Sequence, residues 1–168
     1  MHELALAGVW YRQIPAGGDP WYRPPHPGDS RWQRGAVVEA LYFGDSEPTV
    51  WAEWYRYLAE LAIPPAQSLP RDLWRWRISL PRVADLSDVV AAGLPPIAPT
   101  RRQWPAYQAL GERLHGEGWP ALVSPSAARP EGRTLCIFRT TDKLTGARPI
   151  RPPKRFDEPP FVPTGLRT

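Results

Sequence analysis

The chain has one cysteine and three histidines among 168 residues, and each scarcity narrows what it can be. Cys136 alone forms no internal disulfide and no cysteine-rich zinc site. His2, His26 and His115 are scattered, with no HExxH spacing, so no metal site is expected. The sequence holds no GxGxxG and no Walker loop, which argues against a doubly wound nucleotide fold, and no GxSxG supports a serine triad. No apolar run approaches the roughly 20 residues that span a bilayer. The first residues lack the basic start and long apolar run of a signal peptide. A soluble, cytoplasmic protein is therefore expected. Lysine is also scarce: arginine supplies most of the positive charge behind a net +4. Arginine favours forked contacts with phosphates and carboxylates, a weak pointer to a phosphate-bearing ligand.

What is abundant is proline, with 23, and tryptophan, with nine. So many prolines favour short elements, and a hydrophobic content of 42% suits a globular core. The reading is one mixed α/β (α+β) domain over residues 1–140, followed by a Pro/Arg-rich extended or disordered arm over 141–168. Strands are predicted at 4–14, 35–43, 73–80, 119–123 and 134–138. Of these, 73–80 alternates strictly, with Trp74, Trp76, Ile78 and Leu80 on one face and Arg75, Arg77 and Ser79 on the other. Ser46 is the expected N-cap of a helix whose apolar face carries Val50, Trp51, Trp54, Leu58 and Leu61. A short helix is predicted at 85–93. Thr100 and Gln103 resemble a capping box for another ending near Gly116, with Pro105 favouring a later start. The Pro/Gly-rich segment 16–30 is long for a plain connection, which suggests a functional loop.

Five polar or aromatic residues stand at the ends of elements or in loops beside them: Arg12, Arg31, Tyr42, Glu53 and Ser126. Each has an ordinary reading. The arginines suit surface ion pairs, Tyr42 the core, and Ser126 a turn. Glu53, at the margin of the apolar helix face, suits a solvated carboxylate paired with Arg56. Taken together they suit a dinucleotide. Forked arginines neutralise a pyrophosphate, an aromatic ring packs on nicotinamide, and a carboxylate stabilises an oxocarbenium-like ribose.

The order of motifs resembles the RES-domain family, the toxins of Xre–RES toxin–antitoxin pairs. The carrying segments are Trp10-Tyr11-Arg12, Ser30-Arg31-Trp32 with Gly35-Ala36, Ala40-Leu41-Tyr42, Trp51-Ala52-Glu53, and Ser124-Pro125-Ser126-Ala127-Ala128-Arg129 leading into Leu135-Cys136-Ile137-Phe138. The resemblance covers about residues 8–139. It implies an ADP-ribosyltransferase-like fold with a central, partly split sheet. It also implies destruction of NAD by cleavage of the nicotinamide–ribose bond, with phosphate or water as acceptor and no cofactor. Arg12, Glu53 and Ser126 fall on the arginine, glutamate and serine that name the family. Arg31, Tyr42, Tyr11 and Trp32 fall on substrate-binding positions. The implied partner is a cognate Xre-like antitoxin, through which alone nucleic acid would be met. A homodimer within that complex is a further expectation. Two departures stand out: Asp29-Ser30 replaces the usual glycine pair, and Ser124 competes with Ser126. Two other functions fit parts of the chain: transfer of ADP-ribose to a macromolecule, and a non-enzymatic basic module using Arg75, Arg77 and the tail on nucleic acid.

Overall fold

The computed structural model describes residues 2–168. Six strands and two helices follow in the order β1 (His2–Pro15), β2 (Glu39–Gly44), α1 (Glu47–Glu60), β3 (Arg71–Asp85), α2 (Trp104–Gly116), β4 (Ala121–Pro125), β5 (Arg133–Arg139) and β6 (Ala147–Phe156), with a 3₁₀ turn at Pro65–Ser68.

The strands form two antiparallel halves, β1-β3-β6 and β2-β5-β4. The halves join at two narrow seams. Ala84 and Asp85 pair in parallel with Leu122 and Val123. Tyr11 pairs with Gly44 at the other seam. This is the mixed α/β architecture with the partly split sheet that the motif order implies.

Strand alternation sorts side chains between two cores. Trp10, Ile14, Trp74, Trp76 and Ile78 from one half meet Leu41, Phe43, Val123, Leu135 and Ile137 from the other. The opposite parity of the second half, Leu122, Cys136 and Phe138, faces Tyr107, Leu110 and Leu114 of α2. Residues 73–80 alternate as expected: Trp74, Trp76, Ile78 and Leu80 are buried while Arg75, Arg77 and Ser79 are exposed. Helix α1 begins at the expected cap, with Ser46 Oγ accepting from the Thr49 amide at 3.3 Å. It packs Val50, Trp51, Trp54 and Leu58 against Leu73 of β3. Leu61 falls at the C-cap and is exposed.

Several expectations are corrected. Residues 35–37 are turn and Val38 is irregular, so β2 starts at Glu39. A Cβ on Gly35 would lie 1.8 Å from the Pro27 carbonyl oxygen, so the chain folds back there before it can extend. No helix forms at 85–93. Asp85 ends β3, its carboxylate accepts from the Ser87 amide, and turns follow. The capping box at Thr100 is not made, and α2 starts at Trp104 with no side-chain cap.

The segment 16–30 works in packing at its middle, while Asp29 and Ser30 at its end line a cavity. Trp21 stacks edge-on against Trp76 at 4.9 Å. Buried Arg139 donates to the carbonyls of Trp21 at 2.6 Å and Tyr22 at 3.1 Å while pairing with Glu39 at 3.3 Å. The expected separate arm from residue 141 is also corrected, because residues 147–156 are β6, antiparallel to β3. Its prolines sit on an edge strand, where missing amides cost little. Arg155 pairs with the buried Asp72 of β3. Among the described residues no helix is long and apolar enough to cross a membrane.

Candidate active site

A cavity of about 470 Å³ opens where the seam between β1 and β2 meets α1 and the 29–32 turn. Its lining includes Arg12, Arg31, Tyr42 and Glu53, with Ala127 beside Ser126. Residues far apart in sequence thus share one space.

Glu53 is fixed from several sides. Its Oε1 accepts from Ser126 Oγ at 2.7 Å, from the Ala127 amide at 3.0 Å and from the Ala128 amide at 3.3 Å. Its Oε2 accepts from Arg56 Nε at 3.0 Å. Ser126 is buried, and its Oγ also accepts from the amides of Ala128 (3.2 Å) and Arg129 (3.0 Å). It therefore holds the carboxylate rather than facing the cavity. Ser124, the competing serine, bonds Thr134 Oγ1 at 3.2 Å, away from Glu53. Glu53 does pair with Arg56, as the ordinary reading supposed. The contacts to the 126–128 loop distinguish it from a solvated helix glutamate.

Among the described residues the two arginines have no carboxylate partners. Arg12 donates from Nη1 to the Tyr42 carbonyl at 3.3 Å, and its buried Nε has no partner. Burial, then the nearby charges of Arg139 and Arg71, lowers its pKa to about 10, leaving it protonated at neutral pH. Arg31 donates from Nη2 to the Ala98 carbonyl at 2.9 Å, lies over the Tyr107 ring at 5.2 Å, and leaves its buried Nη1 unpaired. Burial lowers its pKa, and the charge of Glu53 acts the other way. A buried cationic donor without a partner is costly, and the two guanidinium groups give the cavity a positively charged wall.

The Arg31 turn is tightly built. Asp29 Oδ1 accepts from the Gly35 amide at 2.9 Å, Ser30 pairs with Gln33, and Gln108 Nε2 donates to the Ser30 carbonyl at 2.9 Å. Asp29, the departure from the glycine pair, thus serves as an internal cap. Trp32 lines the cavity while keeping almost no exposed surface. Its indole is 1% exposed and packs edge-on against Tyr107 at 5.2 Å. Its contribution is to seat the turn, since its amide donates to the Tyr42 hydroxyl at 3.3 Å. That hydroxyl also donates to Gln33 Oε1, and burial pushes the phenol pKa well up. Tyr11 lines the wall.

Among the cavity residues that the sequence does not single out is a further cation. Arg71, at the start of β3, also lacks a carboxylate partner and donates from Nε to Gln13 Oε1 at 2.6 Å. No motif marks it, because it reaches the site only through the antiparallel pairing of β1 with β3.

Comparison with known proteins follows the same direction. A family model described as RES domain matches residues 9–158. No curated protein matches the chain. A chain from the crystal structure of the M. tuberculosis MbcT–MbcA toxin–antitoxin complex aligns with a TM-score of 0.69 at 18% identity, over 88% of this chain and 86% of that one. At that identity the likeness speaks for the fold alone.

Proposed function

The chain belongs to the RES domain family, and from that premise we propose that it is the toxin of a toxin–antitoxin pair and destroys NAD. The bond broken is the one between nicotinamide nitrogen and ribose C1. Nicotinamide leaves neutral with the bonding electron pair, an oxygen of water or phosphate bonds to C1, and the proton passes to solvent. Nicotinamide in NAD is already a cationic leaving group.

One observation carries this reading: a carboxylate held in a single position, in the same cavity as a half-buried and a buried arginine, Arg12 and Arg31, that have no carboxylate partner among the described residues. Arg12 and Arg31 suit the pyrophosphate or an acceptor phosphate. Glu53 suits the ribose and the positive charge that develops at C1. Ser126 acts through Glu53 as a positioning residue. Tyr42 would border the nicotinamide side. The cavity volume falls within the range that holds small ligands. Control of such an activity calls for a partner that covers the cavity, and an Xre-like antitoxin fits that role.

The test is direct. Purified protein, freed of any partner, should release nicotinamide from NAD in the presence of EDTA. If NAD stays intact with and without phosphate while the protein is folded, the reading is wrong. Turnover only with phosphate would make the acceptor phosphate.

A further inference from the structure

The family model ends at residue 158, but the chain continues as a strap that touches both elements meeting at Glu53. The first contact is with α1, where the Tyr55 hydroxyl donates to the Pro160 carbonyl. Tyr55 stands two positions after Glu53 on that helix. The second contact is with the 126–129 loop, where the Arg167 amide donates to the Ala128 carbonyl at 2.7 Å. Ala128 is thus gripped on both sides: its own amide donates to Glu53 Oε1 and its carbonyl receives the strap.

The local sequence suits this path. Pro160, Pro163 and Leu166 are half-buried at a spacing of three while their neighbours are exposed. That spacing matches one face of an extended, proline-fixed chain. Prolines at 159, 160 and 163 limit the freedom lost when the segment is ordered. A final turn, with the Leu166 amide donating to the Pro163 carbonyl at 3.3 Å and Gly165 at φ +78°, brings Arg167 onto Ala128. Near its start the strap runs beside an open cavity of about 1260 Å³ that Trp51, Arg129 and Phe156 also line, so it does not pack continuously. None of its residues lines the cavity that holds Glu53.

We infer that residues 159–168 are a brace that positions Glu53 from outside the active site, by holding the 126–129 loop against α1. This rests on the reading of Glu53 as the carboxylate at the reacting carbon. The brace predicts loss of turnover without loss of substrate binding, because it touches the loop and no ligand-lining group.

Arg167→Pro removes the donating amide while leaving the rest of the chain intact, and Arg167→Ala keeps that amide. Removal of residues 159–168 takes away both contacts. Hydrogen–deuterium exchange of the 126–130 backbone reads the bracing itself and needs no enzymatic activity. Exchange there should speed up in Arg167→Pro and in the truncated chain, and stay at the parent rate in Arg167→Ala. With NAD, kcat should fall roughly ten- to a hundredfold in the first two, the scale of a small misplacement of a reacting group, with KM within about twofold. Unchanged loop exchange in both the proline variant and the truncated chain would overturn the brace, whether or not NAD is a substrate. Faster exchange with parent-like kcat would overturn its link to Glu53. A parent protein that leaves NAD intact would defeat the functional reading instead, and exchange would still decide the brace.

Discussion

Glu53→Gln distinguishes a working carboxylate from a helix glutamate. The amide oxygen must stay toward Ser126 Oγ and the amides of Ala127 and Ala128, which all donate. The new NH₂ group then faces the Arg56 Nε–H, donor against donor. Stability should fall by no more than about 1 kcal/mol, the size of one hydrogen bond. Turnover should fall roughly 10²- to 10³-fold, as when one preorganised electrostatic contact is lost. Melting temperature and single-turnover nicotinamide release check both halves. Arg56→Gln is no neutral control, since Arg56 touches Glu53. Glu47→Gln, in the first turn of the same helix and outside the Glu53 cavity, is. A Glu53→Gln protein with parent turnover would remove the residue from the chemistry.

At the scale of elements, the site depends on how closely α2 approaches the Arg31 turn. A Cβ on Gly111 would lie 1.9 Å from the Trp32 carbonyl oxygen, a backbone atom that has little room to move. Gly111→Ala should therefore destabilise the fold by about 1–3 kcal/mol, the usual range for overpacking, despite alanine's better helix propensity. Because the turn carries Arg31, KM for NAD should rise in the same variant. Chemical denaturation and steady-state kinetics measure the two effects. A variant as stable as the parent would show that the close approach is not needed. Sequence reading marks α1 well, since Ser46, Pro48 and a clean apolar stripe agree. It fails at 85–93, where the apolar residues Leu86 and Val89 are buried by α2 rather than by a helix of their own.

At the scale of the whole molecule, β6 is fastened to the sheet by the ion pair of Arg155 with Asp72, whose Oδ2 also accepts from the Gly17 amide at 2.7 Å. The Arg155 hydrogen bond, against the opposing effect of burial, lowers the Asp72 pKa. A carboxylate with a depressed folded pKa stabilises the fold above its unfolded value of about 3.9, and that contribution is lost as pH falls through the lower folded value. The parent should therefore be more stable than Asp72→Asn at neutral pH. The gap should hold down to about pH 5 and shrink as the pH falls further. Urea midpoints at several pH values test this, and a gap independent of pH would exclude the linkage.

The sequence by itself determined the parts that are local or periodic: the strict alternation of β3, the capped helix α1, and a motif order that names Arg12, Arg31, Tyr42, Glu53 and Ser126. Their side chains or immediate neighbours do line one cavity. Only the tertiary structure decided what each does there. Ser126 and Ser124 are equivalent in a string of letters, and one hydrogen bond of 2.7 Å separates them. Trp32 lines the cavity, and only the packing of α2 decides how little of it is exposed. Arg71 carries no motif and joins the site through strand pairing. The tail is Pro/Arg-rich and without periodicity, which reads as an extended or disordered arm. It is ordered because Asp72 and Tyr55 supply partners for it from residues distant in sequence. Local propensity reflects each residue's own neighbours along the chain, whereas partners brought in by pairing across the sheet are invisible to it.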